Sequence, residues 1–91
     1  MIESALQRRL LSDLNQRRYC CAVKLHPYIV GDPDIVGCYY GHIFLLECKV
    51  RYNRSSKIQQ HRQAVWRNAL AEVEEAREDF DVDEFLKELL K

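Results

Sequence analysis

The fold is decided by residues 31–50, which read GDPDIVGCYYGHIFLLECKV. Pro33 fixes its own φ and favours an extended residue before it, so the start of this stretch predicts a turn that leads into a strand. That strand is predicted over residues 34–40, and Gly41-His42 predicts a short hairpin connection. Residues 43–50 follow as a third strand that is apolar at nearly every position. Such a strand is typical of the centre of a sheet, where both faces are covered.

Two charged residues interrupt this apolar strand, and they point to a chemical function. Side chains alternate across a strand, so Glu47 and Lys49 share one face while Cys48 lies on the other. Buried charges are costly unless they are paired or functional. Asp34 opens the neighbouring antiparallel strand, from which its side chain can approach Glu47. Two adjacent carboxylates repel each other and need a cation, and oxygen ligands in a partly open site suit Mg²⁺.

Asp34, Glu47 and Lys49 together are the equipment for hydrolysing a phosphodiester bond. A bound Mg²⁺ lowers the pKa of its water and holds a phosphate oxygen. Lys49 would stabilise the charge that builds on the phosphate or orient the attacking hydroxide. The alternative is a purely structural pair between a buried carboxylate and Lys49. A lone E-x-K triplet is a weak motif, whereas P-D, twelve residues and then E-x-K across a predicted hairpin is much more specific.

The residues before this stretch predict a helix and a first strand. The helix runs from Ile2 to about Arg17, because Leu6, Leu10 and Leu14 recur every four residues. Glu3 lies at the top of this apolar stripe, where it is either a first-turn acid that favours the helix dipole or a residue of the site. Residues 19–25 are aromatic, β-branched and Cys-rich, which predicts the first strand.

The residues after the central stretch predict two further helices. A basic loop over residues 51–55 precedes a long helix, which Ser55 or Ser56 can cap and whose apolar residues keep helical spacing as far as Val73. Residues 76–80 are ambiguous, because their charge favours helix or loop while a short edge strand also fits. Asp81 opens a last short helix.

Length, composition and charge describe one small domain. The 91 residues are 47% hydrophobic and 31% charged, which argues against disorder. The chain lacks the apolar run of a transmembrane helix and the pattern of a signal peptide, so we expect a cytoplasmic location. Residues 1–71 hold eleven Lys or Arg and five Asp or Glu, whereas residues 72–91 hold three and nine. The first part has the charge to face a polyanion, and the alternative is two solvated surfaces of opposite sign.

The four cysteines predict neither a zinc site nor a disulfide framework. Cys20, Cys21, Cys38 and Cys48 lack the regular spacing of such sites, and the three histidines do not complete a ligand set. We therefore expect buried, reduced thiols.

The motifs, taken in order, resemble the PD-(D/E)XK nuclease signature and, more closely, the virus-type replication–repair nuclease (VRR-NUC) domain. The signature is Pro33-Asp34 followed by Glu47-Cys48-Lys49. The accompanying VRR-NUC features are Glu3-Ser4-Ala5-Leu6-Gln7 in the first helix, Gly31-Asp32-Pro33-Asp34, the hairpin Gly41, and Arg54-Ser55-Ser56-Lys57-Ile58-Gln59 at the next helix. The match covers residues 3–70. Asp32 is not usually part of the signature, and we interpret it as a turn residue or an indirect support of the site.

The resemblance implies a fold and a set of site residues. The fold is a single α/β domain over residues 1–91 with a restriction-endonuclease-like core: a helix, a three-stranded antiparallel meander, a helix, then a possible short strand and a C-terminal helix. Asp34 and Glu47 would bind the metal with the backbone carbonyl of Cys48, Lys49 would be the catalytic lysine, and Glu3 a further acid that can also reach the metal. Gln59 would lie near the site, with Gln60 beside it as the alternative.

The resemblance also implies an activity and partners. Stand-alone phage members of the family resemble Holliday-junction resolvases that act as homodimers. We therefore expect two copies of the chain to cleave branched DNA in a reaction that depends on Mg²⁺ or Mn²⁺. If a phage encodes the protein, it would act in a bacterial host cell. The alternatives are the same chemistry on flap, single-stranded or linear DNA, and a non-catalytic DNA-binding domain. The basic residues expected at DNA phosphates are Arg8, Arg51, Arg54, Lys57 and Arg62. The candidate dimer surfaces are Tyr39-Tyr40, Trp66 and the last helix around Phe85.

Overall fold

The computed structural model describes residues 1–26, 29–69 and 71–91 and has an α/β architecture. Its elements in chain order are α1 (Glu3–Asn15), β1 (Cys20–Lys24), β2 (Ile35–Tyr39), β3 (His42–Cys48), α2 (Lys57–Asn68), β4 (Glu72–Ala76) and α3 (Val82–Leu89). The strands form a mixed sheet in the spatial order β1-β2-β3-β4. β1, β2 and β3 are antiparallel neighbours, whereas β4 runs parallel to β3. The prediction of an α/β class with a three-stranded meander between two helices is confirmed.

The core lies between one face of the sheet and the helices α1 and α3. On this face β3 contributes alternate buried residues, and the helices contribute leucines at helical spacing. The members at its centre are Phe44, Leu46 and Cys48 of β3, Leu6, Leu10 and Leu14 of α1, and Leu86 and Leu89 of α3. Leu45 and Glu47 face the opposite side of the sheet, because they alternate with these core residues. There α2 packs against β4, so β3 is covered on both faces, as its apolar sequence predicts.

Gly37 in β2 makes room for the largest core side chain. An added Cβ at this position would lie 2.2 Å from Cζ of Phe44, which is fully buried and has no free space to move into. The Phe44 ring therefore crosses the backbone of β2 at the one residue that has no side chain. This close approach fixes how β2 and β3 lie on the core.

The hairpin between β2 and β3 lies one residue earlier than predicted. Tyr39 pairs with His42, so the connection is Tyr40-Gly41 and not Gly41-His42. Both connecting residues have a positive φ, 48° at Tyr40 and 82° at Gly41, which is the geometry of a tight two-residue hairpin turn. This one-residue difference changes which residues face each other along the whole hairpin.

The end of α2 is the main error of the sequence prediction. The helix stops at Asn68, whereas Val73, which was predicted to lie in it, belongs to β4 and pairs with Leu45. Leu70, also predicted in this helix, lies outside the described residues. The strand over residues 72–76 occupies this position instead of residues 76–80, where a turn returns the chain to α3. The parallel pairing with β3 explains the difference, because a helix has to carry the chain back before β4 can begin.

Side chains at the start of α2 and at the end of α1 make hydrogen bonds with the backbone. The Ser56 side chain accepts the Gln59 N–H and the Gln59 side chain accepts the Ser56 N–H, so Ser56 and not Ser55 caps α2. At the end of α1, Asn15 Nδ2 donates to the Ala22 carbonyl (2.8 Å) and Asn15 Oδ1 accepts the Ala22 N–H (2.9 Å), which fixes β1 to the helix. None of the described helices is long and apolar enough to cross a membrane.

The four cysteines are free thiols with very different exposure. Cys48 is buried and Cys20 and Cys38 are half-buried, but Cys21 is exposed. The prediction of buried thiols is wrong for Cys21, because β1 is an edge strand and Cys21 lies on the face that α1 does not cover. Burial raises the pKa of the Cys48 thiol to about 12, so this group stays neutral in the core.

Candidate active site

Asp34 and Glu47 lie side by side at one end of the sheet. Ile35 pairs with Leu46, so the next positions along the two antiparallel strands are Asp34 and Glu47. The Asp34 N–H donates to the Leu46 carbonyl (3.0 Å), and Asp34 Oδ2 accepts the Cys48 N–H (2.8 Å). Two hydrogen bonds to residues on either side of Glu47 therefore hold the Asp34 carboxylate against it.

Glu47 is a buried carboxyl group that lies beside a second acid. The side chain is 1% exposed, and its Oε1 has no hydrogen-bond partner among the described residues. Burial raises the pKa of Glu47 to about 8, and the hydrogen bond and the charge of Asp34 add to this effect. Lys49 acts in the opposite direction, and the Glu3 carboxylate adds a smaller repulsion. A buried acid beside a second acid is costly for the fold, so this pair needs a cation or a proton.

The oxygen atoms of Asp34 and Glu47 fit a hard divalent cation. Mg²⁺ keeps several waters and needs only one or two protein carboxylates, which is what this end of the sheet offers. Within the described ranges no group of three or more His, Cys, Asp or Glu side chains lies close enough together to hold a metal ion. Asp34 and Glu47 are therefore two acidic donors without a third in those ranges, and their oxygen atoms match Mg²⁺ or Mn²⁺ better than Zn²⁺ of a structural site, which favours Cys and His.

Lys49 lies on the same face as Glu47, directly after β3. Its N–H donates to the Ala76 carbonyl (3.0 Å), which continues the pairing with β4, and its side chain is only 8% exposed. None of the ion pairs between described residues includes Lys49. A direct ion pair of Lys49 is therefore not formed among the described residues, and its charge acts on Glu47 only at longer range, where it lowers the Glu47 pKa.

Glu3 is the first residue of α1 and lies at the same end of the sheet. It lines a surface depression of about 410 Å³ together with Val50, Arg51 and Asn53. Its charge contributes to the raised pKa of Glu47. Glu3 thus acts on the pair through its charge, from a position next to the beginning of the basic loop, but it does not join Asp34 and Glu47 in a group that could hold a metal ion.

A hydrogen-bonded network that the sequence did not reveal lies beside Glu47 on β4. Glu75 is the strand partner of Glu47. The buried Ser55 hydroxyl donates to Glu75 Oε1, and the buried Gln63 Nε2 donates to Ser55 Oγ (3.0 Å). The Ser55 bond, and then Arg77, lower the pKa of Glu75 against the effect of burial, so this acid is ionised and satisfied by partners of its own. Glu75 could be placed beside the site only once the position of β4 was known.

Neither glutamine proposed for the site is bonded to the carboxylate pair. Gln59 is engaged in the cap of α2, and Gln60 Nε2 donates to the Ser55 carbonyl (3.0 Å). The glutamine of α2 that points into the molecule is Gln63, one helical turn after Gln59 and 5% exposed. Its sequence signal was its spacing of four residues from Gln59 on the same helix.

The basic residues predicted at DNA phosphates fall into two groups. Arg8, Arg51, Arg54 and Lys57 are exposed, and the last three follow Lys49 in the sequence. Arg62 instead donates from Nε to Asp32 Oδ1 (2.7 Å), with the two side chains 18% and 9% exposed. Trp66 Nε1 donates to the same Asp32 oxygen (3.1 Å).

Asp32 therefore does more than occupy a turn. Through Arg62 and Trp66 it ties α2 to the segment that carries Asp34. The contact occupies the Arg62 guanidinium and leaves Trp66 half-buried within the domain.

The remaining candidate dimer surfaces also differ in exposure. Phe85 packs against the core, with its ring 5.3 Å from that of Phe44 and 5.2 Å from that of Phe80. Tyr39 is half-buried against the same core, whereas Tyr40 is 54% exposed. Among the predicted aromatic positions, Tyr40 is thus the one that is open to a partner.

Comparisons of the chain with protein-family models, with curated proteins and with solved structures found no match.

Proposed function

We propose that the protein is a metal-dependent nuclease of the PD-(D/E)XK type that hydrolyses phosphodiester bonds in branched DNA. The observation that carries this proposal is the buried Asp34–Glu47 pair with an unmet Glu47 oxygen, beside a lysine that has no ion-pair partner among the described residues. A purely structural role would favour neutral or paired groups at these positions. The VRR-NUC resemblance of the sequence supports the same assignment.

The residues divide the work according to their position. Asp34 and Glu47 would hold Mg²⁺ or Mn²⁺, with the Cys48 carbonyl as a further oxygen donor, and Glu3 would contribute its negative charge from the start of α1. When bound, the cation supplies Lewis acidity toward a phosphate oxygen and makes water more acidic. Lys49 stabilises negative charge on the phosphate that is attacked, and its low exposure strengthens that interaction.

The DNA would be held mainly through its backbone. Arg51, Arg54 and Lys57 are exposed in the segment that follows Lys49 in the sequence, and Arg8 is exposed on α1. Such contacts give affinity that depends on salt and little on sequence. A homodimer would set two such sites against two strands of a four-way junction.

The proposal is tested by cleavage of an end-labelled four-way junction beside matched flap and linear duplex DNA, with Mg²⁺ or Mn²⁺. Lys49→Met removes the ammonium group, and Lys87→Met, an exposed lysine on α3, is the matched control. We expect paired nicks in the junction that Lys49→Met abolishes and Lys87→Met retains. Equal cleavage by both variants, with both folded by circular dichroism, would contradict the assigned site. Cutting of flap DNA alone would keep the chemistry and reject the junction as the substrate.

A further inference from the structure

An exposed group of aromatic residues lies at the end of the sheet opposite to the Asp34–Glu47 pair. It is formed by Tyr39 and Tyr40 at the hairpin and by Arg18 and Tyr19 after α1, and we call these four residues the aromatic cluster. The ring centroids of Tyr19 and Tyr40 are 5.0 Å apart, and those of Tyr39 and Tyr40 are 4.7 Å apart. The Arg18 guanidinium lies 4.9 Å from the centre of the Tyr19 ring. The cluster is therefore a set of packed rings with a cation above one face.

Two members of the aromatic cluster hold a backbone conformation that tyrosine disfavours. Tyr19 has φ 62° and Tyr40 has φ 48°, and the Tyr40 N–H donates to the Tyr19 carbonyl (3.3 Å). A bulky residue with a left-handed backbone is a true outlier, whereas Gly or Asn adopts this conformation at lower cost. Backbone strain of this kind concentrates at functional sites.

The same two side chains gain little from burial. Tyr19 is 59% exposed and Tyr40 is 54% exposed. The fold would therefore lose little hydrophobic stabilisation, and would relieve two strained residues, if polar residues stood here. Burial in this domain therefore does not account for the two rings.

The charge around the rings favours an anionic occupant. Arg17, the neighbour of Arg18, is neutralised by Asp13 (2.6 Å) and Asp83 (2.8 Å). Arg18 takes part in none of the ion pairs formed by the described residues, so its charge is uncompensated. Proteins bind unpaired nucleotides with exposed aromatic rings and with cations that have no acidic partner. The rings stack on the base, and the cation faces the phosphate.

We propose that the aromatic cluster binds an unpaired base in a single-stranded part of the nucleic-acid substrate. This inference rests on the proposed nuclease function, and it adds that the branched DNA offers unpaired nucleotides, as at an opened branch point or a flap, at a distance from the point of cleavage. The cluster and the carboxylate pair are separated by the length of β2, roughly 20 Å at about 3.3 Å per residue. In this proposal one nucleic-acid strand contacts both places.

The test measures binding of a fluorescein-labelled oligothymidine by fluorescence anisotropy, in EDTA and at fixed salt, so that the result does not depend on catalysis. Tyr19→Asn and Tyr40→Asn remove the rings and suit the left-handed backbone, so these variants should fold at least as stably as the wild type. Tyr40→Phe keeps both ring and backbone and is the matched control. We expect each Asn variant to bind roughly 5- to 100-fold more weakly, as expected for the loss of one stacked base, and Tyr40→Phe to bind like the wild type.

Other outcomes would overturn the proposal. Equal binding by the Asn variants, or no binding by the wild type, would exclude a base-stacking role. A change from dimer to monomer on Tyr40→Asn, measured by light scattering, would instead assign the cluster to an interface between copies. If the Asn variants lose binding while no substrate is cleaved under any metal condition, the cluster keeps its assignment and the nuclease function fails.

Discussion

Replacing Glu47 by Gln should make the metal-free protein more stable at neutral pH, although it removes a group of the candidate active site. Burial, followed by the contact with Asp34, raises the pKa of Glu47 from 4.5 to about 8. Between these two values the folded protein holds a proton that the unfolded chain has released. The free energy of unfolding is therefore unaffected by Glu47 below the pKa of the unfolded chain, 4.5. It decreases as the pH rises above that value and reaches its lowest level above pH 8.

The size of the effect at pH 7 follows from the same two pKa values. The roughly 2.5 pH units above the unfolded pKa, at about 1.4 kcal/mol each, give a penalty on the order of 3 kcal/mol. Gln has nearly the volume of Glu and does not titrate, so the variant avoids this penalty. For a domain of this size, 3 kcal/mol corresponds to a rise in Tm of roughly 15 °C.

The measurement is thermal unfolding by circular dichroism in EDTA between pH 4 and pH 8. Wild type, Glu47→Gln and Glu74→Gln are compared, where Glu74 is an exposed acid on β4 and serves as the control. The Tm difference between Glu47→Gln and wild type should be near zero at pH 4 and widen steadily to pH 8. A difference that stays constant with pH would refute the reasoning. Mn²⁺ should raise the Tm of the wild type at pH 7 and leave that of Glu47→Gln unchanged.

Three further predictions concern how the sheet is built. Gly37→Ala should lower the free energy of unfolding by about 3 kcal/mol in urea titrations, because the added Cβ would meet the buried Phe44 ring. Gly41→Ala is the control: its added Cβ meets no atom within 4 Å, so it should cost only the roughly 1 kcal/mol of an alanine with positive φ. Asn15→Ala should cost about 1–2 kcal/mol in the same assay and speed amide exchange in β1, since both its hydrogen bonds to that strand are lost. Cys21 and Cys38 are strand partners, so mild oxidation with diamide should join them in one intramolecular disulfide, which peptide mapping would detect. Failure to crosslink would contradict the β1–β2 register.

The meander that carries the site could be predicted because its signals are local. Pro33 marks the turn, Gly41 marks the hairpin, and the apolar run after it marks the central strand. The register is the finer result: the prediction placed the turn one residue too late, which shifts every cross-strand pairing by two residues. With the turn at Tyr40-Gly41, Asp34 lies directly opposite Glu47, because every pairing along a hairpin follows from the position of its turn.

The parts that were missed depend on contacts between distant segments. Val73 continues the apolar spacing of α2, and only its pairing with Leu45 across the sheet places it in β4. Gln59 and Gln63 differ by one turn of the same helix, and the capping bond to Ser56 removes the first from consideration. The sequence alone does not tell which glutamine caps the helix and which makes a buried hydrogen bond, because either position satisfies a glutamine side chain.

Residues at both ends of β2 lower the folding stability of this small domain, for different reasons. At one end, Asp34 and Glu47 place two acids together in a buried position. At the other, Tyr19 and Tyr40 hold strained backbones and leave their rings in water. A domain of this size has only about 5–14 kcal/mol of net stability, so neither cost is negligible. We expect both costs to be smaller with Gln or Asn at the same positions, because Gln does not titrate and Asn accepts a left-handed backbone more readily. Folding alone therefore does not account for these residues, and this is why we propose a cation at one end of β2 and a nucleotide at the other.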